Sequence, residues 1–528
     1  MAAGQLLRGQ SGLPVDNSTK SYWHKEPSGK LLGHRTTKEL PRSADVVIVG
    51  SGITGSFAAH FLKEKKPDLN VVMLEAREAC WGATGRNGGH CQPAIYAASK
   101  PHIASFELRN FLYLKSLVEE YSIPCDWRST SGVHAFYSAE LFSIAQKIVA
   151  NLSDNYPDLA ANVAVVTKGE KGKAEGELSG TPAYLLEGER RELTLHGLRV
   201  PNAEGAVVQW NAASLWPYKL VSFVLERLLA ANNEESSKGS FNLQTNTPVT
   251  GLTRAELSNI GHNSSSKPQS IWTIHTPRGT ILSPQILLAT NGYTSHLLPS
   301  LSDLIIPTRG QVSSLTPPEQ PSVPTDHPLD IGHTYYIVGE PNAAFSRDDY
   351  LIQRPPPSAS LIFGGGRQHA RKRGVGVWDD SSVDESVSWY LRGELGSVVD
   401  LSLYHEKEGD TETKKQDLTP THEWTGIMGY TRDGHPFVGS VPEGLGGGSG
   451  LYVCAGYTGH GMPNAVLSAR AVVDILLSDD GKGGEVEVDL PPEYELTEDR
   501  VLAARLLDEV AVVDEKGSLY MDFGAVRG

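Results

Sequence analysis

Asp45-Val-Val-Ile-Val-Gly50-Ser-Gly52-Ile-Thr-Gly55 decides the reading of this chain. Four apolar residues in a row, bounded by an acid and a glycine, make a buried strand. The run passes directly into Gly-x-Gly-x-x-Gly, and Phe57, Phe61 and Leu62 then fall on one face of a helix. In a strand–turn–helix unit each glycine has its own task. Gly50 permits the tight turn, Gly52 lets backbone approach a pyrophosphate, and Gly55 lets helix and strand pack closely. Ile53 and Thr54 open the helix, where free N–H groups and the positive dipole end suit phosphates. The second strand, Val71-Val-Met-Leu-Glu75, ends in an acid twenty residues after Gly55. A carboxylate there accepts hydrogen bonds from a ribose 2′-hydroxyl and argues against a 2′-phosphate. The alternative, a tight turn plus a solvated acid, accounts for each feature alone but poorly for all together. A dinucleotide site is expected.

After Glu75 and Ala76 the chain runs through Gly82-Ala-Thr84-Gly85-Arg86-Asn87-Gly88-Gly89-His90. A second glycine-rich turn suits backbone lying along an extended cofactor, with Arg86 pairing and Thr84 hydrogen-bonding its pyrophosphate. A nicotinamide-binding domain needs no such loop; a flexible loop with a solvated arginine is the competing account. Near the other end, the buried strand Leu451 to Ala455 meets Gly456, Gly459 and Gly461. Pro463 then fits the first turn of a helix reaching about Leu477.

Together these residues resemble the FAD-dependent D-amino-acid-oxidase-like superfamily, above all its branch of γ-glutamylputrescine oxidoreductase and sarcosine-oxidase-like amine oxidases. The resemblance continues through Ile286 to Tyr293, which contains Thr290, Asn291 and Gly292, and through Pro307 to Gln311. Leu361 to Arg367, Thr431 to Pro436 with Asp433 and Gly434, and Ala455 to Met462 complete it. It covers roughly Ser21 to Leu477. It implies an α/β (α+β overall) fold: a Rossmann-like FAD-binding domain interleaved with a mixed-sheet substrate-binding domain. The expected boundaries are an N-terminal extension over 1–43, FAD-binding parts over 44–130, 210–300 and 422–482, and substrate-binding parts over 131–209 and 301–421. An acidic tail occupies 483–528, with a helix around Arg500 to Val510.

By the same resemblance Ala76, Val249, Thr290, Asn291, Gly292, Asp433, Gly434, Gly456, Gly459, His460, Gly461 and Met462 contact FAD. The C-terminal helix then faces the flavin and stabilises its reduced form. The implied reaction is hydride transfer from a substrate C–H to flavin N5, giving an imine, with dioxygen as acceptor. His90, Arg367, Tyr457 and His460 are the candidate catalytic residues, Arg367 standing where relatives place a cation for a substrate carboxylate. Arg309 is assigned to the inter-domain junction, and Trp210, Trp216, Tyr350 and Trp424 line an amine cage or simply fill the core. Some sarcosine-oxidase-like members bind flavin through a Cys just before the motif matching Tyr430-Thr431. Here Ile427, Met428 and Gly429 stand there, so FAD is expected to be non-covalent.

Composition narrows the alternatives. The 528-residue chain is 39% apolar and 21% charged, with net charge −15, which argues against nucleic-acid or anionic-membrane partners. The N-terminal residues lack a signal-like apolar stretch, no run is long enough to cross a bilayer, and a cytoplasmic protein is expected. Four cysteines (Cys80, Cys91, Cys125, Cys454) are too scattered for a disulfide framework. The sequons at Asn17, Asn151 and Asn263 are then unused. Seventeen histidines form no metal-binding spacing, and no Ser-nucleophile elbow or Walker loop is present. A disulfide reductase would need a cysteine pair and a second nucleotide fingerprint. A flavin monooxygenase, a dehydrogenase with another acceptor and a non-catalytic flavin-fold subunit remain open. Loops are expected at Ala231–Ser240, Ser258–Pro268, Thr316–Pro328, His405–Thr421 and Glu443–Gly450, and the oligomeric state is left open.

Overall fold

All four residues of the strand Val46–Val49 are buried, so the strand needs cover on both faces. The computed structural model, which describes residues 6–169, 193–232, 239–256, 270–318, 329–340, 343–402, 415–478 and 487–507, supplies it. The strand sits inside a six-stranded sheet ordered Phe437–Ser440, Leu451–Ala455, Gln285–Leu288, Val46–Val49, Val71–Leu74, Phe241–Gln244. Only the edge pairing of Phe437–Ser440 with Leu451–Ala455 is antiparallel. Alternation divides the cover. Val46 and Ile48 join a core with Phe57 and Phe61 of the helix Ile53–Lys65, Val221 and Leu225 of Pro217–Ala231, and Val466 and Val473 of Ala465–Leu477. Val47 and Val49 instead meet Ile274 and Ile281 of a three-stranded sheet over residues 251–256, 270–276 and 279–283.

A second, mixed sheet of nine strands lies beside this layer. Its order is Pro420–Thr431, Ile305–Leu315, Leu361–Gly364, Ala343–Gln353, Thr334–Glu340, Arg128–Phe136, Gly205–Ser214 and His90–Cys91, with Val163–Thr167 also paired to Gly205–Ser214. Its main core packs against the helix Glu385–Val398. The expected divisions at 130/131, 209/210 and 421/422 each fall inside one of these strands.

The helix expected from Pro463 to about Leu477 runs Ala465–Leu477, and the one expected around Arg500 to Val510 runs Glu498–Leu506, with residues 508–510 outside the described residues. The last ordered turn before Ala465 is not part of the helix: Asn464 and Ala465 donate to Gly461 O first. Of the expected loops, Ser258–Pro268 lies outside the described residues, as do parts of three others. Glu443–Gly450 contains a short 3-10 turn, Glu443–Leu445. The N-terminal segment packs on the fold: it buries Tyr22 and Trp23, and Trp23 Nε1 donates to Asn87 O at 2.6 Å. No helix among the described residues is long and apolar enough to cross a membrane.

Candidate functional site

Where the first strand meets its helix the chain bends on Gly50, whose φ of +106° belongs to glycine. Gly55 lies so close beneath that a Cβ there would stand 2.0 Å from Gly50 O, so helix and strand touch only because the side chain is missing. The bend opens one cavity of about 800 Å³. Gly50, Gly52, Ile53, Thr54, Glu75, Ala76, Thr84, Arg86, Asn87, Gly88, Val249, Thr290, Asn291, Asp433, Gly434, Gly459, His460, Gly461 and Met462 line it. So do His90, Arg367 and Tyr457. Gly55, Gly85, Gly89, Gly292 and Gly456 do not reach its wall; each faces neighbouring protein, as Gly292 does Met428 O, 2.6 Å from where its Cβ would lie.

Several of these residues already have partners. Glu75 Oε2 accepts from Ser51 N (3.0 Å) and Ser51 Oγ (2.6 Å), and Oε1 from Arg77 N (2.9 Å). It fastens the glycine turn while facing the cavity. Thr84 Oγ1 accepts from Ile53 N at 3.1 Å. Asn291 Oδ1 caps the C-terminal turn by accepting Gly456 N at 3.1 Å. Tyr457 ties the two glycine motifs together through Thr54 Oγ1, 2.9 Å from its hydroxyl. Asp433 binds Arg500 of the helix Glu498–Leu506.

Arg86, expected to pair with a pyrophosphate, lines the cavity while its guanidinium also meets protein partners. Its Nε donates to Thr425 O at 2.6 Å, its Nη2 to Thr19 Oγ1 at 2.6 Å and to Thr19 O, and Nε stands 3.3 Å from Asp380. Asp380, itself fully buried, also takes Arg77 Nη1 at 3.0 Å on both oxygens. Burial and the neighbouring Arg77 outweigh Asp380 and lower the Arg86 pKa to about 10. Arg77 Nη1 lies 3.5 Å from Val15 O, and Leu13 and Pro14 line the cavity. The N-terminal segment therefore forms part of the site.

The far end of the cavity is built on the second sheet. His90, on the strand His90–Cys91, meets Tyr350 edge to face with centroids 5.6 Å apart. Its Nε2 is buried with no hydrogen-bond partner, and burial drives its pKa down to about 3. His134 is similarly lowered to about 3 by burial, between Tyr96 Oη (2.7 Å) and Gln92 Nε2 (2.5 Å). Arg367 donates to Tyr430 Oη at 2.6 Å and pairs with Asp348 at 3.0 Å. His460 Nε2 lies 2.9 Å from Glu107 Oε2, and Glu107 also accepts Ala94 N and Asn464 Nδ2. Burial opposes both charges. Glu107 nonetheless holds the imidazole above its usual pKa, and His460 with the two N–H donors holds the carboxyl below its own.

Glu107, His134, Asp348 and Asp380 escaped the sequence reading because no spacing links them to the glycine motifs, while Arg77, two residues past Glu75, was not singled out. The Tyr22-Trp23-His24 cluster in a polar segment is the one signal that pointed to a packed N-terminus. Arg309 donates to Asp379 O and Ser382 Oγ, both at 3.3 Å, and is not among the cavity-lining residues. Trp210, Trp216 and Trp424 are buried in core, while Tyr350 alone of the suggested cage lines the cavity. The four cysteines are buried free thiols, and none lines the cavity. No metal-binding cluster occurs among the described residues.

Comparison with known proteins agrees with this architecture. The Rhizobium meliloti (strain 1021) protein named Probable oxidoreductase OrdL is 23% identical over 461 residues, 85% of each chain. Glycine oxidase from Geobacillus kaustophilus superposes with a TM-score of 0.59 at 17% identity, covering 87% of this chain and 99% of that one. L-amino acid deaminase from Proteus vulgaris, with its specific insertion deleted, gives 0.58 at 16%, covering 90% and 99%. Iminodiacetate oxidase from Chelativorans sp. BNC1 gives 0.55 at 16%, covering 85% and 98%. Residues 45–475 match the family described as DAO, FAD dependent oxidoreductase, and the chain belongs to that family.

Proposed function

We propose that the protein oxidises the carbon–nitrogen bond of a small amine or amino acid to an imine, which water then hydrolyses, with dioxygen as electron acceptor. One observation carries this reading. A single cavity runs from the glycine turns to a sheet face bearing Tyr350, Tyr430, the Arg367–Asp348 pair and His90. FAD fits the residues present. A Cβ on Gly52 would stand 3.1 Å from Thr84 Oγ1, so bare backbone keeps that approach open. The volume of about 800 Å³ also lies at the upper end of ordinary ligand pockets, about 300–1,000 Å³. When bound, FAD supplies the hydride acceptor at flavin N5.

The chain supplies the rest. The first glycine turn and Glu75 would hold the adenosine and phosphate end, with Thr84 fastened to that turn through Ile53 N–H. His90, kept neutral by burial, accepts a hydrogen bond from the amine N–H at its unpartnered Nε2 and so orients the nitrogen. It is too weak a base to carry the ammonium proton, which leaves to water as the amine enters. His460, favoured in its protonated form by Glu107, sets positive charge beside the C-terminal turn, where the reduced ring gains negative charge. In this reading the six-stranded layer holds the cofactor and the nine-stranded sheet presents the substrate.

The test is direct. The purified protein is expected to be yellow, and an anaerobic screen of amines and amino acids to bleach it; peroxide and artificial-dye assays then identify the acceptor. A colourless protein that takes up no FAD would remove the proposal.

A further inference from the structure

Two consecutive acids on the strand Ala343–Gln353 point to opposite faces. Asp349 turns inward. Its Oδ1 accepts Gly366 N at 2.7 Å and its Oδ2 accepts Tyr390 Oη at 2.6 Å, which fastens the turn that carries Arg367. Asp348 turns to the cavity and meets the guanidinium of Arg367 from the other side, at 3.0 Å. Tyr430 Oη completes the guanidinium's setting at 2.6 Å, with the Arg367 carbon 5.3 Å from the ring centroid. This chain reaches the C-terminal turn, because Tyr430 Oη lies 3.3 Å from where a Gly459 Cβ would be.

The pairing changes what the cavity can bind. Four arginines and no lysine line it. Arg77 and Arg86 share Asp380 at the opposite end. Arg432 turns its guanidinium onto Asp303 O and Leu507 O. Arg367 is the cation on the substrate face, and a carboxylate of the protein already occupies it. His90 and His134 are neutral there, and His460 faces Glu107. A substrate carboxylate entering this face would have to share one guanidinium with Asp348, placing two like charges together in a partly desolvated site. An amine without that carboxylate meets a balanced ion pair and three tyrosine rings, Tyr336, Tyr350 and Tyr430.

We infer that Asp348 is a specificity-determining residue: by filling the carboxylate position of Arg367 it selects amines that bear no carboxylate on the carbon being oxidised. This rests on the amine-oxidation reading above and narrows its substrate class.

The experiment compares matched pairs, such as benzylamine against phenylglycine and N-methylalkylamines against sarcosine, by anaerobic bleaching of the FAD-loaded protein. The wild type is expected to favour the amine of each pair. Asp348→Asn is expected to shift the kcat/KM ratio toward the amino acid by about tenfold or more, the scale of one charge-assisted contact. A wild-type readout guards against a variant that folds poorly: titration with benzoate is expected to leave the wild-type flavin spectrum unchanged at concentrations where benzylamine perturbs it. Preference for the amino acids, perturbation by benzoate in the wild type, or an unshifted ratio in Asp348→Asn overturns the inference and leaves amine oxidation standing. A yellow protein that neither class bleaches overturns both.

Discussion

Replacing Asp380 by Asn should remove a charge without removing a shape. The side chain is fully buried and accepts Arg77 Nη1 at 3.0 Å on both oxygens, with Arg86 Nε 3.3 Å away. Both arginine side chains are themselves almost wholly enclosed, at 5% and 1% exposure. An asparagine keeps one acceptor, and the backbone carbonyl of residue 380 keeps its bond from Thr19 N at 2.8 Å. What is lost is the carboxylate that these two buried guanidiniums share. Breaking one side of a buried pair costs about 3–5 kcal/mol, a large share of a typical domain stability of about 5–15 kcal/mol. Urea unfolding of the apoprotein, followed by tryptophan fluorescence, should show the extrapolated stability falling by that amount, read as a lower midpoint at unchanged slope. FAD affinity should fall with it, because Arg77, Arg86 and Leu13 line the same cavity. A loss below about 1 kcal/mol would mean that water or another group screens the arginines, and the account of this network would be wrong.

Gly55→Ala should destabilise by about 1–3 kcal/mol from overpacking, despite alanine's better helix propensity, since its Cβ meets Gly50 O; an unchanged melting temperature would contradict this. FAD should leave the polypeptide on acid or heat precipitation, because no cysteine lines the cavity; flavin fluorescence retained in the pellet would refute it. His134 titrates near pH 3 when folded against an ordinary 6.5. Its stabilisation is therefore present above pH 6.5 and lost as pH falls toward 3, at up to about 1.4 kcal/mol per pH unit. His134→Gln should flatten the acid side of the stability profile, and parallel profiles for variant and wild type would refute the assignment.

The cofactor layer was legible in the sequence because its determinants are local. The strand Val46–Val49, the turn on Gly50 and the acid at Glu75 fall within one βαβ unit, where spacing alone fixes their relation. The substrate face was not. Asp348 and Arg367 meet across two strands and a turn, Glu107 and His460 are 353 residues apart, and Thr19 reaches Arg86 and Thr425 from the N-terminal segment. Each contact depends on sheet order, which local periodicity does not encode. Arg86 shows both sides: the glycine-rich loop brings it to the cavity wall, while its contact with Asp380 depends on a residue far along the chain.

The order of the six-stranded sheet also has a temporal side. Its strand Val46–Val49 is made early in synthesis, yet its neighbour Gln285–Leu288 and the next strand, Leu451–Ala455, come far later. At roughly 5–20 residues per second, the some 400 residues between the first and last of these take about 20–80 s to translate. Until Gln285–Leu288 is made, a fully apolar strand has one unpaired edge, and until Asp380 is made, Arg77 and Arg86 lack the carboxylate they share. Chaperone supply during synthesis is therefore expected to raise the soluble yield, which expression with and without added chaperone would measure.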